Sequence, residues 1–485
     1  MMTRTKPRRG IGTAAIAGII VVIIIIAAAG GYLYYTASTK KPTTITVLVS
    51  SGSETQQYLA IVAKDFEAQH PGVKITFEPV GFGELVTTAL AALKEKAPSP
   101  DIIMYYPSQA PDYAPYLLNL AQYETGSGAL INGSNIIKGE MYSGGYLLAT
   151  NGTILKTLGV VIHSVFGYVL VYQKSVFNNQ TLDSAFQQEY GFAFNPTTWH
   201  NWTQVLDAAQ FITAHKATQY ALLMPDSAHH ADIDMWISML YGYGAGSPIT
   251  HIPANSSPNY WSFLAPVNGK WQPTFNNSVG VQALEMWKQL IQFEPPLSVQ
   301  PIGYDQQENF FATGSYAMGI AWTSFLPYYN NATVSKVAGN VGIALLPGSP
   351  TGYTGTAPTF LGVNPNSKSI KTDLQFIQFA LSNQEYKKGI DQLQYLPGTY
   401  TGLAEASSNA NLSWAGPFLK YLDTIQVPLQ LAASYSVLGS LTGTLIPYMN
   451  QQINNYFTGT ATPNAALQTA ASEWMKYIQS NNIVL

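Results

Sequence analysis

The chain contains no cysteine, which excludes disulfides, thiolate chemistry and a lipid-modified cysteine anchor. Charge is almost as scarce: 10% of residues are Asp, Glu, Lys or Arg, against about 25% in an ordinary soluble domain. The formal net charge of −3 leaves neither a nucleic-acid footprint nor an acidic tail. There is no GxSxG elbow, no P-loop with its lysine and no Rossmann glycine run. Asn, Gln, Ser, Thr and Tyr must therefore supply most of the polar surface. Such a surface suits an acidic exterior, where carboxylates protonate and ion pairs are lost.

What is present is a long, foldable chain. Its 485 residues exceed one hydrophobic core and imply two or more lobes. Hydrophobic residues make up 47%, and 31 Tyr, 40 Gly and 29 Pro accompany them, a globular rather than a disordered composition.

The amino terminus reads as a membrane element. Arg4, Lys6, Arg8 and Arg9 precede an uncharged run that lasts to Lys40. Its core, Ala14 to Leu33, is about 20 residues long, enough to span ~30 Å of hydrocarbon. The basic residues ahead of it place the amino terminus in the cytoplasm, and Tyr32, Tyr34 and Tyr35 form an outer aromatic belt. A cleaved secretory signal has the same outline, but its apolar core is shorter and ends in an A-x-A site that is absent here. Arg9-Gly10-Ile11 resembles instead the archaeal type-III (prepilin-like) signal, which leaves the helix on the mature protein. The expectation is a leader over 1–10, an anchor over 11–35 and a linker over 36–44, with the rest outside the cell. No other run is long enough to span. N-x-S/T sequons at Asn132, Asn151, Asn179, Asn201, Asn255, Asn276, Asn331 and Asn411 are consistent with export.

The exterior chain begins with strand-like Ile45 to Val49, a helix over Tyr58 to Gln69, a strand at Val73 to Phe77, a helix over Glu84 to Lys96, and a strand at Ile102 to Tyr106. That order is the βαβ pattern of a parallel sheet. Further strands are expected at Phe166 to Tyr172, Tyr220 to Met224 and Val341 to Leu346. Helices are expected at Asn201 to Ala214, Ile233 to Tyr241, Val281 to Phe293, Thr372 to Ser382, Gln384 to Tyr395, Leu441 to Phe457 and Pro463 to Ser480.

One stretch organises the remainder: YDQQENFFATGSYAMGIAWTSFLP, Tyr304 to Pro327. A short helix carrying Phe310 and Phe311 ends at Gly314, where a left-handed residue closes a helix. A buried strand, Tyr316 to Ala321, ends at Trp322, and the hydroxyls of Thr323 and Ser324 are placed to cap a helix. A large ring at a strand's carboxyl end, facing a helix amino terminus, is where open α/β sheets bind ligands.

The order of these segments resembles the family 1 extracellular solute-binding proteins of ABC importers, and most closely the sugar-binding members. The likeness is carried by FEAQHPGVKITFEPV, SPDIIMYY, VFGYVLVYQKSVFN, NPTTWHNWTQVLDAA, FFATGSYAMGIAW, VGIALLPG and TGTATPNAALQTAA, in family order from about Ile45 to Ser480. It implies an α/β fold of two discontinuous, hinged lobes of the periplasmic-binding-protein type (type II). The first lobe would be 45–162 with 362–407, and the second 163–361 with 408–485. Crossings would lie near Val161 to Ser164, Pro358 to Gly362 and Ala404 to Asn411. Closure would bury a sugar, whose apolar faces stack on aromatic rings and whose hydroxyls need fixed polar partners.

By that resemblance Trp322 is the stacking ring. Tyr105 or Tyr106 supplies an aromatic at a strand end, and Ser108 a polar contact. Ser51, Ser53 and Glu54 sit in the first loop, Asp226 follows a strand end, and Tyr435 opens the carboxyl-terminal helices. Phe166 stands where some sugar binders carry a carboxylate, a departure that leaves the charged contacts open. The implied function is capture of a mono- or oligosaccharide by a monomeric, membrane-tethered binding unit for separate permease chains. No enzyme activity, cofactor, metal or nucleic acid is implied. His229-His230-Ala231-Asp232-Ile233-Asp234 matches no zinc spacing. Asp101, Asp112, Glu54 and Asp226 lack the frame of a glycosidase pair. A pilin-like filament subunit fits the leader equally well, but not the βαβ order.

Overall fold

The computed structural model describes residues 42–81, 84–124, 131–137, 140–141, 144–148, 154–164, 168–226, 235–236, 239–240, 243, 264–267, 270–273, 275–296, 302–347, 354–356, 358–410, 412, 426–428 and 445–480. The expected leader and anchor lie outside them. Among the described residues no helix is long and apolar enough to cross a membrane.

The strands in chain order are β1 (Thr43–Ser50), β2 (Val73–Val80), β3 (Ile102–Tyr105), β4 (Tyr146–Leu148), β5 (Ile154–Thr157), β6 (Gly159–His163) and β7 (Tyr168–Gln173). They continue as β8 (Leu264–Val267), β9 (Lys270–Pro273), β10 (Met318–Trp322), β11 (Val341–Ala344), β12 (Thr354–Thr356), β13 (Thr359–Val363) and β14 (Gln426–Pro428). Two sheets organise two lobes. The first has the order β2-β1-β3-β13-β6, with β1 parallel to both β2 and β3, as the βαβ pattern predicts. The return strand β13 then runs antiparallel to β3 and β6. The whole of β13 belongs to this sheet.

Strand β3 is buried along its length, which is why it reads as an uncharged run rather than an alternating one. Its core includes Leu48, Tyr58, Phe66, Ile103, Phe360 and Phe376, and helices Glu54–Gln69, Ile370–Ala380 and Asn383–Leu393 supply its other side.

The second sheet is antiparallel with order β10-β7-β11. It is packed by helices Trp202–Ala214, Ser278–Leu290, Ile446–Phe457 and Pro463–Ser480, which bury Trp202, Phe211, Trp287, Leu467 and Trp474. Asn201 starts the first of these with a capping box: its side chain accepts from Gln204 N, and Gln204 Oε1 accepts from Asn201 N. Tyr220 to Met224, expected as a strand, forms a single bridge, Tyr220 to Tyr316. The N–H groups of Ala221 and Leu222 turn to Phe293 O, at 3.2 and 3.4 Å, so the pairing is irregular there. The segment still runs beside β10: Leu223 N donates to Met318 O at 3.0 Å, and Leu223 O accepts from Ile320 N at 2.9 Å.

A third apolar cluster bridges the lobes. Val169, Phe311 and Ala321 of the second meet Ile390, Leu396 and Leu403 of the first. Ser164 N donates to Leu396 O at 3.0 Å, and His163 pairs with Pro397. The crossing that leaves β6 is therefore held against the segment after helix Asn383–Leu393.

Candidate functional site

Ser53 shapes the first wall of the interlobe space. Its backbone is extended, its Oγ accepts from Gln56 N at 3.1 Å, and it donates to Ser50 O at 2.8 Å. This cap starts the helix at Glu54, four residues before the apolar spacing indicates, and so fixes Glu54 at the first helical position. The serine hydroxyl is committed to that cap. Ser51 is exposed in the preceding turn.

On the opposite lobe β10 delivers Trp322. The ring is 7% exposed and lies over Tyr168, centroids 4.3 Å apart, a pairing set by the strand register Trp322 to Tyr168. Thr323 and Ser324 do not cap a helix as expected. They form a 3-10 turn, Thr323–Phe325, with Trp322 at the cap position and no side-chain bond there. The Thr323 hydroxyl is buried and without a hydrogen-bond partner.

These two walls meet. Glu54, His163, Leu393, Gln394, Tyr395 and Leu396 from one lobe enclose about 10 Å³ with Thr323, Ser324 and Pro327 from the other. That is room for a single water, not for a ligand pocket of about 300 Å³ or more.

Gln394 closes helix Asn383–Leu393 in the left-handed region, φ 55°, ψ 32°, where glycine is the usual residue. Its amide oxygen is buried without a partner. Tyr395 stacks between Tyr58 at 4.3 Å and His163 at 4.2 Å, and its hydroxyl lies 3.2 Å from Thr55 Oγ1. Burial holds His163 at a pKa of about 3, so the imidazole is neutral. Burial also pushes Glu54 up to about 7, and the charge of Glu308 pushes in the same direction; its own backbone N–H opposes them. The helix dipole favours a carboxylate here, but desolvation wins. Glu54 keeps some contact with the enclosed space while protein surrounds it on its other sides.

The remaining expected contacts separate. Tyr105 is fully buried in the first lobe; it stacks on Phe360 at 5.2 Å and donates to Gly144 O at 3.0 Å. Tyr106 is the one beside Glu54, whose charge raises the phenol further after burial, while Ser50 opposes through a hydrogen bond. Ser108 lies in the 3-10 turn Pro107–Gln109. Asp226 is 1% exposed inside the second lobe. It accepts from Ile302 N at 2.5 Å, and its neighbour Glu294 accepts from Met224 N at 2.7 Å. The two carboxyls also act on each other through a side-chain hydrogen bond. Burial lifts Asp226 to about 7 and Glu294 well above its usual range. Phe166 and Tyr435 lie outside the described residues, as does 229–234.

Sequence reasoning missed Gln394, Tyr395 and His163. The one signal was a helix ending in Gln-Tyr-Leu-Pro without glycine. No group of three His, Asp or Glu side chains placed to hold a metal occurs among the described residues.

Two α/β lobes are shared with known proteins. Residues 51–387 match the family of bacterial extracellular solute-binding proteins. The chain belongs to that family. A curated relative of this solute-binding protein, a probable ABC transporter-binding protein of Deinococcus radiodurans, is 28% identical over 203 residues, 40% of this chain and 46% of that one. The match thus spans about half the relative's length. Among solved structures, maltose-bound MalE3 of T. maritima aligns with TM-score 0.67 at 17% identity, over 90% of this chain and 99% of that one. The GacH receptor of Streptomyces glaucescens, known unliganded and with acarbose, gives 0.67 at 19%, over 91% and 99%. A D-mannitol-bound ABC transporter solute-binding protein of Agrobacterium vitis gives 0.65 at 18%, over 90% and 99%. The solute-binding protein shares their two-lobed, periplasmic-binding-protein-like fold.

Proposed function

We propose that this solute-binding protein captures a sugar or polyol between its lobes, outside the cell, and delivers it to the permease of an ABC importer. The observation that carries the reading is the junction at Glu54 and Thr323. A carboxyl, an unpartnered threonine hydroxyl and an unpartnered glutamine oxygen converge from both lobes, one residue from the end of β10, where Trp322 stands. Such groups match a ligand that is rich in hydroxyls and carries apolar ring faces. Similar structures hold maltose, acarbose and mannitol.

In this reading Trp322 and Tyr106 stack on or flank the ligand. Glu54, Thr323, Ser324 and Gln394 bond its hydroxyls, with Ser51 and Ser108 at the rim. The lobes are 45–162 with the chain from Thr359 to about 407, and the second-lobe segments between and after. They hinge at Ser164, before Thr359 and after Ala404. The segment 11–35 tethers the unit to the membrane as a monomer, and permease subunits are separate chains.

The test is tryptophan fluorescence of the full chain in detergent, titrated with mono- and oligosaccharides and polyols from pH 4 to 8. At least one ligand is expected to give a saturable change that Trp322→Ala weakens tenfold or more. A response to no member of the panel would refute the reading.

A further inference from the structure

Strand β6 is irregular where it reaches the junction of the lobes. Thr359 of β13 pairs with His163, but the next residue, Phe360, pairs with Val161. Ile162 is therefore an extra residue in the ladder, and a bulge of this kind re-aims the side chains beside it. The carbonyl it releases is taken up by two tyrosines of the first lobe: Tyr386 donates to Ile162 O at 2.9 Å and Tyr395 at 3.3 Å. Tyr386 Oη in turn accepts from Gly398 N at 3.1 Å. The Tyr395 ring lies on the His163 ring, centroids 4.2 Å apart and planes within 16°, and the backbone of His163 bridges to Pro397. The imidazole is thus held in one orientation at the point where the chain leaves the first lobe.

That support does not use the ring nitrogens. His163 is 4% exposed and lines the junction space with Thr323, Ser324 and Gln394. Burial alone moves its pKa; no charge and no hydrogen bond adds to it. The neutral ring offers one N–H donor and one bare acceptor nitrogen. The Thr323 hydroxyl and the Gln394 amide oxygen stand unpartnered beside the same space. Its volume of about 10 Å³ is that of one water, and a ligand hydroxyl matches water in size and in both hydrogen-bonding roles.

We propose that His163 is a specificity-determining contact: its imidazole, with Thr323 and Gln394, receives one hydroxyl of the bound sugar or polyol in the water-sized space between the lobes. This rests on the reading of the chain as a sugar-binding protein. The hydroxyl donates to one partner and accepts from another, so an analogue with hydrogen in its place leaves polar groups of the site unpaired. A site built to bond a hydroxyl rejects the analogue that lacks it far more strongly than an apolar site does.

The test is isothermal titration of the full chain in detergent at pH 5. The panel is neutral mono- and oligosaccharides and polyols, glucose, maltose and mannitol among them, with monodeoxy analogues of the member that binds most tightly. His163→Phe keeps a ring on Tyr395 and removes both nitrogens, whereas His163→Gln keeps a donor and an acceptor. Thermal melts establish that each variant is folded. The parent is expected to bind one monodeoxy analogue at least tenfold more weakly than the intact compound. His163→Phe is expected to bind the intact compound at least tenfold more weakly and to lose that discrimination, with His163→Gln recovering part of both. A second arm uses nitrogen-15 spectra of the parent labelled at histidine. A surface histidine is protonated at pH 5, so a neutral ring stands out, and its absence in His163→Gln assigns it. Its nitrogen signals are expected to shift when the same compound is added. Affinity and discrimination unchanged in His163→Phe, an equal loss for every analogue, or ring signals that stay fixed while the compound binds each overturn the contact and leave the sugar reading standing. Binding of no panel member by the folded parent overturns both.

Discussion

Gln394 shows how a single residue connects strain with function. A glutamine in the left-handed region costs about 1 kcal/mol, and such strain persists where the site uses the side chain. Gln394→Gly should keep the cap while removing the amide that lines the enclosed space. The expected outcome is a melting temperature equal to or above the parent's, with sugar affinity reduced about tenfold by calorimetry. A loss of stability with unchanged affinity would make Gln394 a structural residue only. Trp322 differs, because it both lines β10 and packs on Tyr168. Trp322→Ala should therefore lower stability, by up to the ~3–5 kcal/mol typical of buried Trp→Ala, as well as binding. The place of Trp322 at the end of β10 was legible in the sequence because a buried run ends abruptly at a large ring. Gln394 was not, since a helix ending in Gln-Tyr-Leu-Pro without glycine does not show which residue takes the left-handed turn.

Elements came through the sequence where their caps and periods agree. The parallel β1, β2 and β3 and the helix that starts at Asn201 are in that group. Three features escaped it. Helix Glu54–Gln69 begins early because Ser53 caps it, and a serine in a Ser-rich loop does not reveal which residue caps. The segment from Tyr220 lies along β10 but is irregular, because two of its N–H groups go to Phe293 O in the 3-10 turn Ile291–Phe293. The junction of the first sheet with β13 depends on strand order, which periodicity does not encode. Close packing gives a sharp test at this scale. A Cβ at Gly280, in helix Ser278–Leu290, would lie 1.9 Å from Phe275 O, a backbone atom that cannot swing aside. Gly280→Ala should destabilise the second lobe by about 2 kcal/mol or more despite alanine's better helix propensity. A melt at the parent's temperature or above would show that the Phe275 turn can move. Ser53→Ala should cost about 1 kcal/mol through the lost cap, measured by urea unfolding.

Across the whole molecule, scarcity of charge and buried carboxyls fit one working condition. Ser367 Oγ lies 2.7 Å from Asp101 Oδ1 and 2.6 Å from Asp373 Oδ2. One hydroxyl proton cannot serve both oxygens, so Asp373, lifted to about 6 by burial, carries the second. Asp226, at about 7, is a second buried carboxyl that holds a proton, here beside Glu294. These folded-state values exceed the unfolded value for Asp of about 3.9. Between about pH 4 and 7 the folded chain holds protons that the unfolded chain has released. Stability is then fully present below about pH 4 and is lost as pH rises to 7, at up to 1.4 kcal/mol per proton per unit. Two groups act in the opposite sense. Asp65 is pulled down by Lys388 in a surface pair of small worth. His163, with a pKa of about 3 against an unfolded value of about 6.5, adds stability as pH rises to that value. It is one proton against those of Asp226, Glu294, Asp373 and Glu54. The melting temperature should therefore be higher at pH 4.5 than at pH 7.5. A melt that falls steadily below pH 6 would contradict this.

Capture of a sugar between the lobes remains the central claim, and isothermal titration of the full chain in detergent addresses it most directly. With maltose, mannitol and a wider set of neutral sugars at pH 5, the expected result is saturable heat with one ligand per chain. Binding should be weakened at least tenfold by Trp322→Ala under conditions where that variant is folded. No saturable heat from any of them, with the parent protein folded, would contradict the account.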